Sequence, residues 1–437
     1  MTVLRTWIER NQRGDWLTLP PEHLNKHGLV IGAPGSGKTE TLLRIAALVR
    51  KYYGWQVIYV DLKGDPATQT RFVAAMRQVP KTRVRTFPAS HYDGWRGDGN
   101  AIFNRLLGIQ DYSEAYYKSI AVKMLRLAIS SPLGVPRNSR ELLARLDLDT
   151  LRTIYQNQPE IVQLASMDRR LASGVSDRYW GFFASLDGKL DGDLAYEDAD
   201  AIYLLVEGLA LREEAKSLGR FLVEDFIHYV PARKKPSTMV LFLVDEISTL
   251  DLNAEGFSAF EKARSYGASI IASAQTYEGL GRYRDRISGA SHLILLHRCN
   301  DPDELVERAG RQQQVQANWG VELGGATGRG SMSLRPQLRV DPDEVRALRA
   351  GEVFVICQGS AQKARVAQQS TTAEQEQDAQ RDIAAEMQQR QAHTITQQQT
   401  LPNSQAQSAS GVPADGKKVA ETPVSAKPTV SQGPELI

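Results

Sequence analysis

The 437-residue chain has only two cysteines, Cys299 and Cys357. Two thiols give neither a disulfide framework nor a zinc-ligand spacing, and they suit a reducing cytoplasm. No segment approaches the ~20 consecutive apolar residues that span a bilayer. The best apolar runs, 239–244 and 201–206, are strand-sized. The opening residues carry Arg5, Glu9 and Arg10, charges too early and too frequent for a signal peptide. A cytoplasmic protein is expected, peripheral to a membrane only through a partner. Charge of one sign is also lacking: 53 Lys and Arg against 51 Asp and Glu give a formal net charge of +2. That balance argues neither for nor against nucleic acid, since a local basic channel is enough to bind it. There is no internal repeat and no Ser-His-Asp or Cys-His arrangement. Hydrophobic content of 42% and charged content of 24% are ordinary for a globular chain, here long enough for two or three domains.

The most informative stretch is Gly32-Ala33-Pro34-Gly35-Ser36-Gly37-Lys38-Thr39, which fits G-x-x-x-x-G-K-[ST] in full. It follows an apolar run, Gly28–Ile31, and precedes a helix-like segment, 41–49. Strand, glycine loop and helix are the context this motif requires. The glycines let backbone N–H groups turn inward around a phosphate, and the helix adds the positive end of its dipole. Lys38 is expected to reach the β- and γ-phosphates, and the Thr39 hydroxyl to bind Mg²⁺. With Glu40 these residues form the expected binding loop for ATP.

Short β-rich runs recur at 29–31, 56–61, 83–87, 201–206, 240–245, 269–274, 292–297 and 352–357, with helical periodicity or turns between them. Such a pattern predicts an α/β fold around a mostly parallel sheet covered on both faces. Between Phe87 and Ala201 only helical patterns occur, the clearest at 115–129, so residues 107–197 read as an all-helical insertion. It would divide the core into 1–106 and 198–366. From Ala367 onward Gln, Ser, Thr, Ala and Pro dominate and large apolar residues become scarce. Residues 367–437 are therefore expected to be a disordered tail that can be trimmed without loss of activity. Good helix formers at 372–391 admit a helix there, with a polar face.

Met239–Glu246 is a buried-strand run that ends in two acids, the form of a Walker B element. Asp245 is assigned to the Mg²⁺ shell and Glu246 to polarising the attacking water. The next strand, 268–274, ends at Gln275, an amide placed to sense the γ-phosphate or orient that water. A small-molecule kinase would not need the Asp-Glu pair, and the L-S-G-G-Q signature of ABC transporters is missing.

In this order the three parts resemble the FtsK/HerA-type ring ATPases, and most closely the type IV coupling proteins of conjugation and secretion. His23–Gly32 is similar to that family's lead-in to the phosphate loop, and Val60-Asp61-Leu62-Lys63-Gly64-Asp65 to its second-strand element. Asp93–Asp98 and Ile102–Leu107 resemble its lead into a helical domain. The closing block looks to be Val340–Leu348 followed by Gly351–Val355, so the resemblance spans about residues 20–366. It implies a RecA-like P-loop NTPase core and a hexameric ring that uses ATP and Mg²⁺ to translocate DNA without sequence preference. By the match of Ala263-Arg264-Ser265-Tyr266-Gly267, Arg264 would act in trans as an arginine finger. Relaxase or secretion-channel partners are implied too. Membrane-bound members carry an amino-terminal transmembrane region, and no such segment is seen here. An adaptor that recruits a relaxase or effector, or a HerA-like DNA-processing translocase, is the alternative.

Other polar groups are less specific. Lys63 and Asp65 could touch nucleotide or set a turn. Arg233-Lys234-Lys235 and Arg282, Arg284 and Arg286 could face DNA or simply be solvated. Arg298 and Arg311 are secondary candidates for trans contacts, and Arg329 and Arg335 mark a glycine-rich stretch read as a mobile loop. His292 and His297 flank a strand and show no metal-ligand constellation in the sequence.

Overall fold

A computed structural model describes residues 2–5, 16–112, 114–206, 212–233, 237–251, 260, 262–322, 325–357 and 359–399. Its strands, in chain order, are β1 (Thr2–Arg5), β2 (Trp16–Leu19), β3 (Gly28–Ile31), β4 (Gln56–Asp61), β5 (Val84–Phe87), β6 (Ala201–Leu205), β7 (Val240–Asp245), β8 (Ala268–Ala274), β9 (Leu293–Leu296), β10 (Arg311–Glu322), β11 (Gly325–Leu338), β12 (Glu352–Cys357) and β13 (Ser360–Arg365). Nine of them form one sheet in the order β13-β12-β9-β3-β8-β7-β4-β6-β5. The run from β9 to β5 is parallel throughout, and β12 and β13 join it antiparallel at the β9 edge. All eight expected strands are present. The hairpin β1–β2, the long ribbon β10–β11 and β13 were not expected: the ribbon and β13 are mostly polar, and β1 and β2 are only four residues each, so no buried-strand pattern marks them.

Alternation along the strands sorts the core into two layers. Ile58, Val60, Phe242 and Val244 face one side, while Val57, Tyr59, Leu241 and Leu243 face the other. The second side is covered by the helices Lys38–Tyr53 and Pro66–Arg77. The first is covered by Gly99–Gly108, Ala115–Ile129, Arg169–Leu186 and Arg212–Ala232. Between β5 and β6 the described residues form helices and turns, with two isolated bridges at Tyr92 and Asp93. These helices share one continuous core with the sheet: Met124, Leu125 and Tyr179 belong to the same buried cluster as Phe226 and Phe242.

Asp225, on the helix Arg212–Ala232, ties the two together. Its carboxylate accepts from Arg105 Nη1 at 2.9 Å, from Arg96 Nη2 at 2.6 Å and from the Tyr92 hydroxyl. Arg105 is fully buried. Arg96 and Arg105 lie in the two segments likened above to the lead into a helical domain, and Tyr92 directly precedes the first.

The expected tail needs correction. Ala373–Gln399 is a helix, wider than the 372–391 segment that residue type admitted. It docks through the small residues of a polar sequence: Ala379 is fully buried, and Ile383 packs on the Val57/Tyr59 side of the core. Glu386 accepts from Arg85 Nε at 2.7 Å and Thr86 Oγ1 at 2.9 Å. A few well-placed contacts thus offset ordering entropy that composition alone suggested would prevail. The rest of the expected tail, 400–437, lies outside the described residues.

Candidate nucleotide site

The phosphate loop joins β3 to the helix Lys38–Tyr53. Gly35 and Gly37 take φ of 71° and 109°, the left-handed region open to glycine. At Gly32 a Cβ would come within 2.6 Å of His297 Cβ and 2.7 Å of Ser36 Oγ, so the loop closes only on glycine. Three backbone bonds brace it: Gly32 N to Ala274 O at 3.2 Å, Ala33 N to Arg298 O at 2.7 Å, and Gly351 N to Ser36 O at 2.9 Å. Gly351 of the closing block therefore buttresses the loop directly. His297 braces it from below, with Nδ1 on Glu352 O at 2.9 Å and Nε2 on Thr41 Oγ1 at 3.0 Å. A neutral ring protonated on Nδ1 satisfies both partners. Burial pushes its pKa down from 6.5 to about 4.

Above the loop lies an open pocket of about 310 Å³, lined by Pro34, Gly35, Gly37, Lys38, Thr39, Glu40, Lys63 and Gln275. Lys38 Nζ donates to Gly32 O at 2.5 Å and Ala33 O at 3.2 Å. Burial lowers its pKa, with nearby Lys63 pushing the same way and Glu246 and Asp245 opposing. Thr39 Oγ1 donates to Asp245 Oδ2 at 2.8 Å. Octahedral Mg²⁺ at 2.0–2.1 Å places neighbouring ligand oxygens roughly 3 Å apart, so this pair fits such an ion. Lys63 Nζ lies 3.2 Å from Thr39 Oγ1 and 3.3 Å from Asp245 Oδ1, a cation already bridging the same two residues.

The acids are set by the strand tips. In the parallel register Asp61 of β4 stands opposite Asp245 of β7. Asp61 accepts the backbone N–H of Lys63 and Asp65, both at 2.9 Å, and the Tyr203 hydroxyl at 2.7 Å. The turn it makes aims Lys63 at Asp245, and Asp65 then caps the helix Pro66–Arg77 through Ala67 N at 3.0 Å. Lys63 thus belongs to the site, and Asp65 to the turn. Asp245 takes a further bond from Ser273 Oγ at 2.5 Å and one from Tyr59 OH at 3.2 Å. The same Ser273 oxygen accepts the Glu246 N–H at 3.0 Å. Glu246 has φ 67° and ψ 58°, a left-handed turn that lifts its side chain off the strand axis. Its carboxylate accepts from Ser248 Oγ at 2.6 Å and Gln275 Nε2 at 3.2 Å.

Lys38, Thr39, Asp245, Glu246 and Gln275 are therefore brought together, and Glu40 lies beside them in an ion pair with Arg71 at 2.5 Å. Arg264 is not brought to this pocket. It is exposed in the short turn Ala263–Tyr266 that leads into β8, at the other end of that strand from Gln275. The site residues missed in the sequence are Tyr59, Tyr203, Ser248, Ser273 and His297. A serine inside a strand and a tyrosine at an alternating position read as core; only the acids one strand away give them a role.

Several surface assignments change. Arg233 is spent on carbonyls, with Nε on Val230 O at 3.2 Å and Nη2 on Gly267 O at 3.2 Å. Lys234 and Lys235 lie outside the described residues, as do Gly324 and the side chain of Arg329. Arg282 pairs with Asp251 at 3.5 Å, and Arg284 and Arg286 lie over the rings of Tyr277 and Tyr283. The described part of the stretch read as a mobile loop, from Gly325 on, belongs to strand β11 of the ribbon. His292, which shows no metal-ligand constellation in the sequence, lies close to His23 and Cys357, both far from it along the chain.

Loop, acids and sheet together have the form of a P-loop nucleotide-binding core. A family model described as "Helicase HerA-like C-terminal" matches residues 6–93. No curated protein matches the chain by sequence. Among solved structures, the bacterial conjugative coupling protein TrwB in an unbound form aligns with a TM-score of 0.63 at 16% identity, over 81% of this chain and 87% of its own. TrwB in complex with the non-hydrolysable ATP analogue ADPNP aligns with a TM-score of 0.60 at 15% identity, covering 85% and 95%. VirB4 of Thermoanaerobacter pseudethanolicus gives 0.50 at 14% identity, covering 85% and 97%. The chain has the fold of these proteins. Among the described residues, no helix is long and apolar enough to cross a membrane.

Proposed function

We propose that this chain is the ATP-hydrolysing subunit of a ring motor that moves DNA, or a DNA–protein complex, in conjugative transfer or type IV secretion. The observation that carries the reading is the meeting of Lys38, Thr39 and Gln275 on the wall of one open pocket, with Asp245 bonded to Thr39 and Glu246 to Gln275 behind it, on the fold shared with TrwB. TrwB structures hold ADP with Mg²⁺ and an ATP analogue, which supports the same ligands here.

In this reading the loop N–H groups and Lys38 hold the β- and γ-phosphates, and Lys38 exchanges its two loop carbonyls for phosphate oxygens. Thr39 and Asp245 hold Mg²⁺, which offsets phosphate charge. Glu246 takes the proton of the attacking water, with Gln275 and Ser248 fixing its carboxylate. Arg264 of a neighbouring subunit supplies positive charge at the γ-phosphate, a role worth ~10³–10⁵ in rate in other NTPases. A hexameric ring follows from that division of labour and from the family resemblance, and DNA contacts through phosphates would be steeply salt-dependent.

The test is ATP turnover with and without single- and double-stranded DNA, alongside molar mass in ATP. Expected are DNA-stimulated hydrolysis by an oligomer, no turnover in Lys38→Ala, and ATP bound but uncleaved in Glu246→Gln. Mixing Arg264→Ala with Glu246→Gln subunits should restore part of the activity. Full turnover in Lys38→Ala would remove the site, and absence of rescue at every ratio would remove Arg264 from it.

A further inference from the structure

At the end of the sheet away from the nucleotide pocket, three side chains from separate segments meet. His23 lies in the turn Pro21–Leu24, at the foot of β3. His292 directly precedes β9 and is fixed by its N–H on His27 O at 2.7 Å. Cys357 ends β12, facing Leu293 in the antiparallel register. Because β3 and β9 run parallel and β12 runs against them, one strand end and two strand beginnings meet there. His23 Nδ1 lies 3.0 Å from His292 Nε2 and 3.2 Å from Cys357 Sγ. All three atoms lie within 4.8 Å of one another.

Hydrogen bonding alone serves this arrangement poorly. An imidazole nitrogen carries one in-plane proton or one lone pair, so His23 Nδ1 can serve only one of its two neighbours fully. A cation between the three atoms serves all of them at once. Zinc–nitrogen bonds of ~2.0–2.1 Å and a zinc–sulfur bond of ~2.3 Å place tetrahedral ligand atoms roughly 3.3–3.6 Å apart. Separations of 3.0 and 3.2 Å approach that without strand movement. Imidazole and thiolate together are the donors of zinc rather than of Mg²⁺ or Ca²⁺.

We propose that His23, His292 and Cys357 form a zinc site with three protein ligands and a fourth position open to water. Its role is structural, pinning the lead-in to the phosphate-loop strand to the antiparallel edge of the sheet. On binding, the Cys357 thiol gives its proton to solvent and its sulfur lone pair to the metal. The thiolate is the one anionic donor among the three ligands, which makes Cys357 the decisive ligand for a dication. The site is independent of the nucleotide reading and stands or falls without it.

The test uses the full chain freed of any histidine tag. Metal analysis should find about one zinc per chain, and Co²⁺ substitution of the unmodified protein should give tetrahedral visible bands with a thiolate charge-transfer band. Cys357→Ser should lose that band. His23→Gln and His292→Gln should each weaken Co²⁺ binding at least by the ~10-fold that loss of a mere supporting contact costs. Cys299→Ser, at a buried thiol elsewhere, should change nothing. Far-ultraviolet circular dichroism and thermal unfolding of each variant report that it is folded. A featureless Co²⁺ titration of the unmodified protein overturns the proposal, as does a thiolate band that survives in Cys357→Ser.

Discussion

Ser273→Ala is the most discriminating perturbation of the nucleotide site, because it touches neither ligand nor pocket wall. Ser273 is fully buried in β8; its hydroxyl donates to Asp245 Oδ1 at 2.5 Å and accepts the Glu246 N–H at 3.0 Å. Removing it strands a buried donor, at a cost of about 1–3 kcal/mol, and deletes a bond to a charged acceptor worth about 1.5–3 kcal/mol. The two losses share one atom and do not simply add, so about 3 kcal/mol is expected in urea unfolding followed by circular dichroism. The freed N–H belongs to Glu246, held in a left-handed conformation that most side chains avoid. Slackening there should lower kcat by about 10–100-fold, or about 1.4–2.7 kcal/mol of barrier, with KM for ATP little changed. Ser269→Ala is the internal control: the same residue type on the same strand, equally buried, with only a 3.5 Å contact to Lys26 O. If the two variants match in stability and in kcat, the hydroxyl does not organise the acids and the reasoning fails.

His297 should make folding pH-dependent. Its folded pKa of about 4 lies below the ordinary 6.5, so the unfolded chain binds more protons in between. The stabilisation is complete above pH 6.5 and is lost as pH falls toward 4, about 3 kcal/mol in all, and His297→Gln should flatten the profile by that amount in unfolding titrations. Asp225→Ala leaves the buried Arg105 guanidinium without its carboxylate and should cost about 3–5 kcal/mol by chemical unfolding; an effect under ~1 kcal/mol would show that the helices are held by packing alone. Ending the chain at Val366 should lower both stability and ATP turnover. It removes Gln369, which accepts from Arg44 Nη1 at 2.9 Å and bonds Glu40 Oε1 at 2.5 Å, along with the buried Ala379. Unchanged melting and turnover in that truncation would restore the expectation of a dispensable tail.

The strands that could be read from sequence are those buried on both faces, because continuous apolar runs such as Val240–Val244 have few other uses. The phosphate loop was legible because its chemistry is local: eight consecutive residues hold every group the motif needs. What stayed hidden depends on pairing. Asp61 stood in a segment of family resemblance, yet its part in aiming Lys63 appears only once β4 lies beside β7. Tyr59 and Tyr203 looked like core, and they are, with rings stacked at 4.9 Å; their hydroxyls nonetheless end on Asp245 and Asp61. The helix Ala373–Gln399 was underestimated because composition weighs a segment's average apolarity, whereas its docking depends on a few residues such as Ala379 and Glu386.

Arg264 shows what a single chain's geometry says about assembly. It precedes β8, while the groups proposed to hold the phosphates gather where β8 ends, at Gln275. Six residue steps from Ala268 to Ala274, at roughly 3.3 Å each, separate those ends by about 20 Å, beyond the reach of an arginine side chain. Arg264 therefore cannot serve its own chain's pocket, whatever its rotamer. It is exposed, so a second copy can meet it without disturbing the core. A residue at one end of the sheet acting on a pocket at the other end of the next copy defines a head-to-tail contact. Such contacts close only as rings or run on as filaments. The rescue experiment with Arg264→Ala and Glu246→Gln subunits thus tests more than one side chain. Restored turnover in the mixture requires two different surfaces of the protein to face each other, which a symmetric dimer built on one shared patch does not provide.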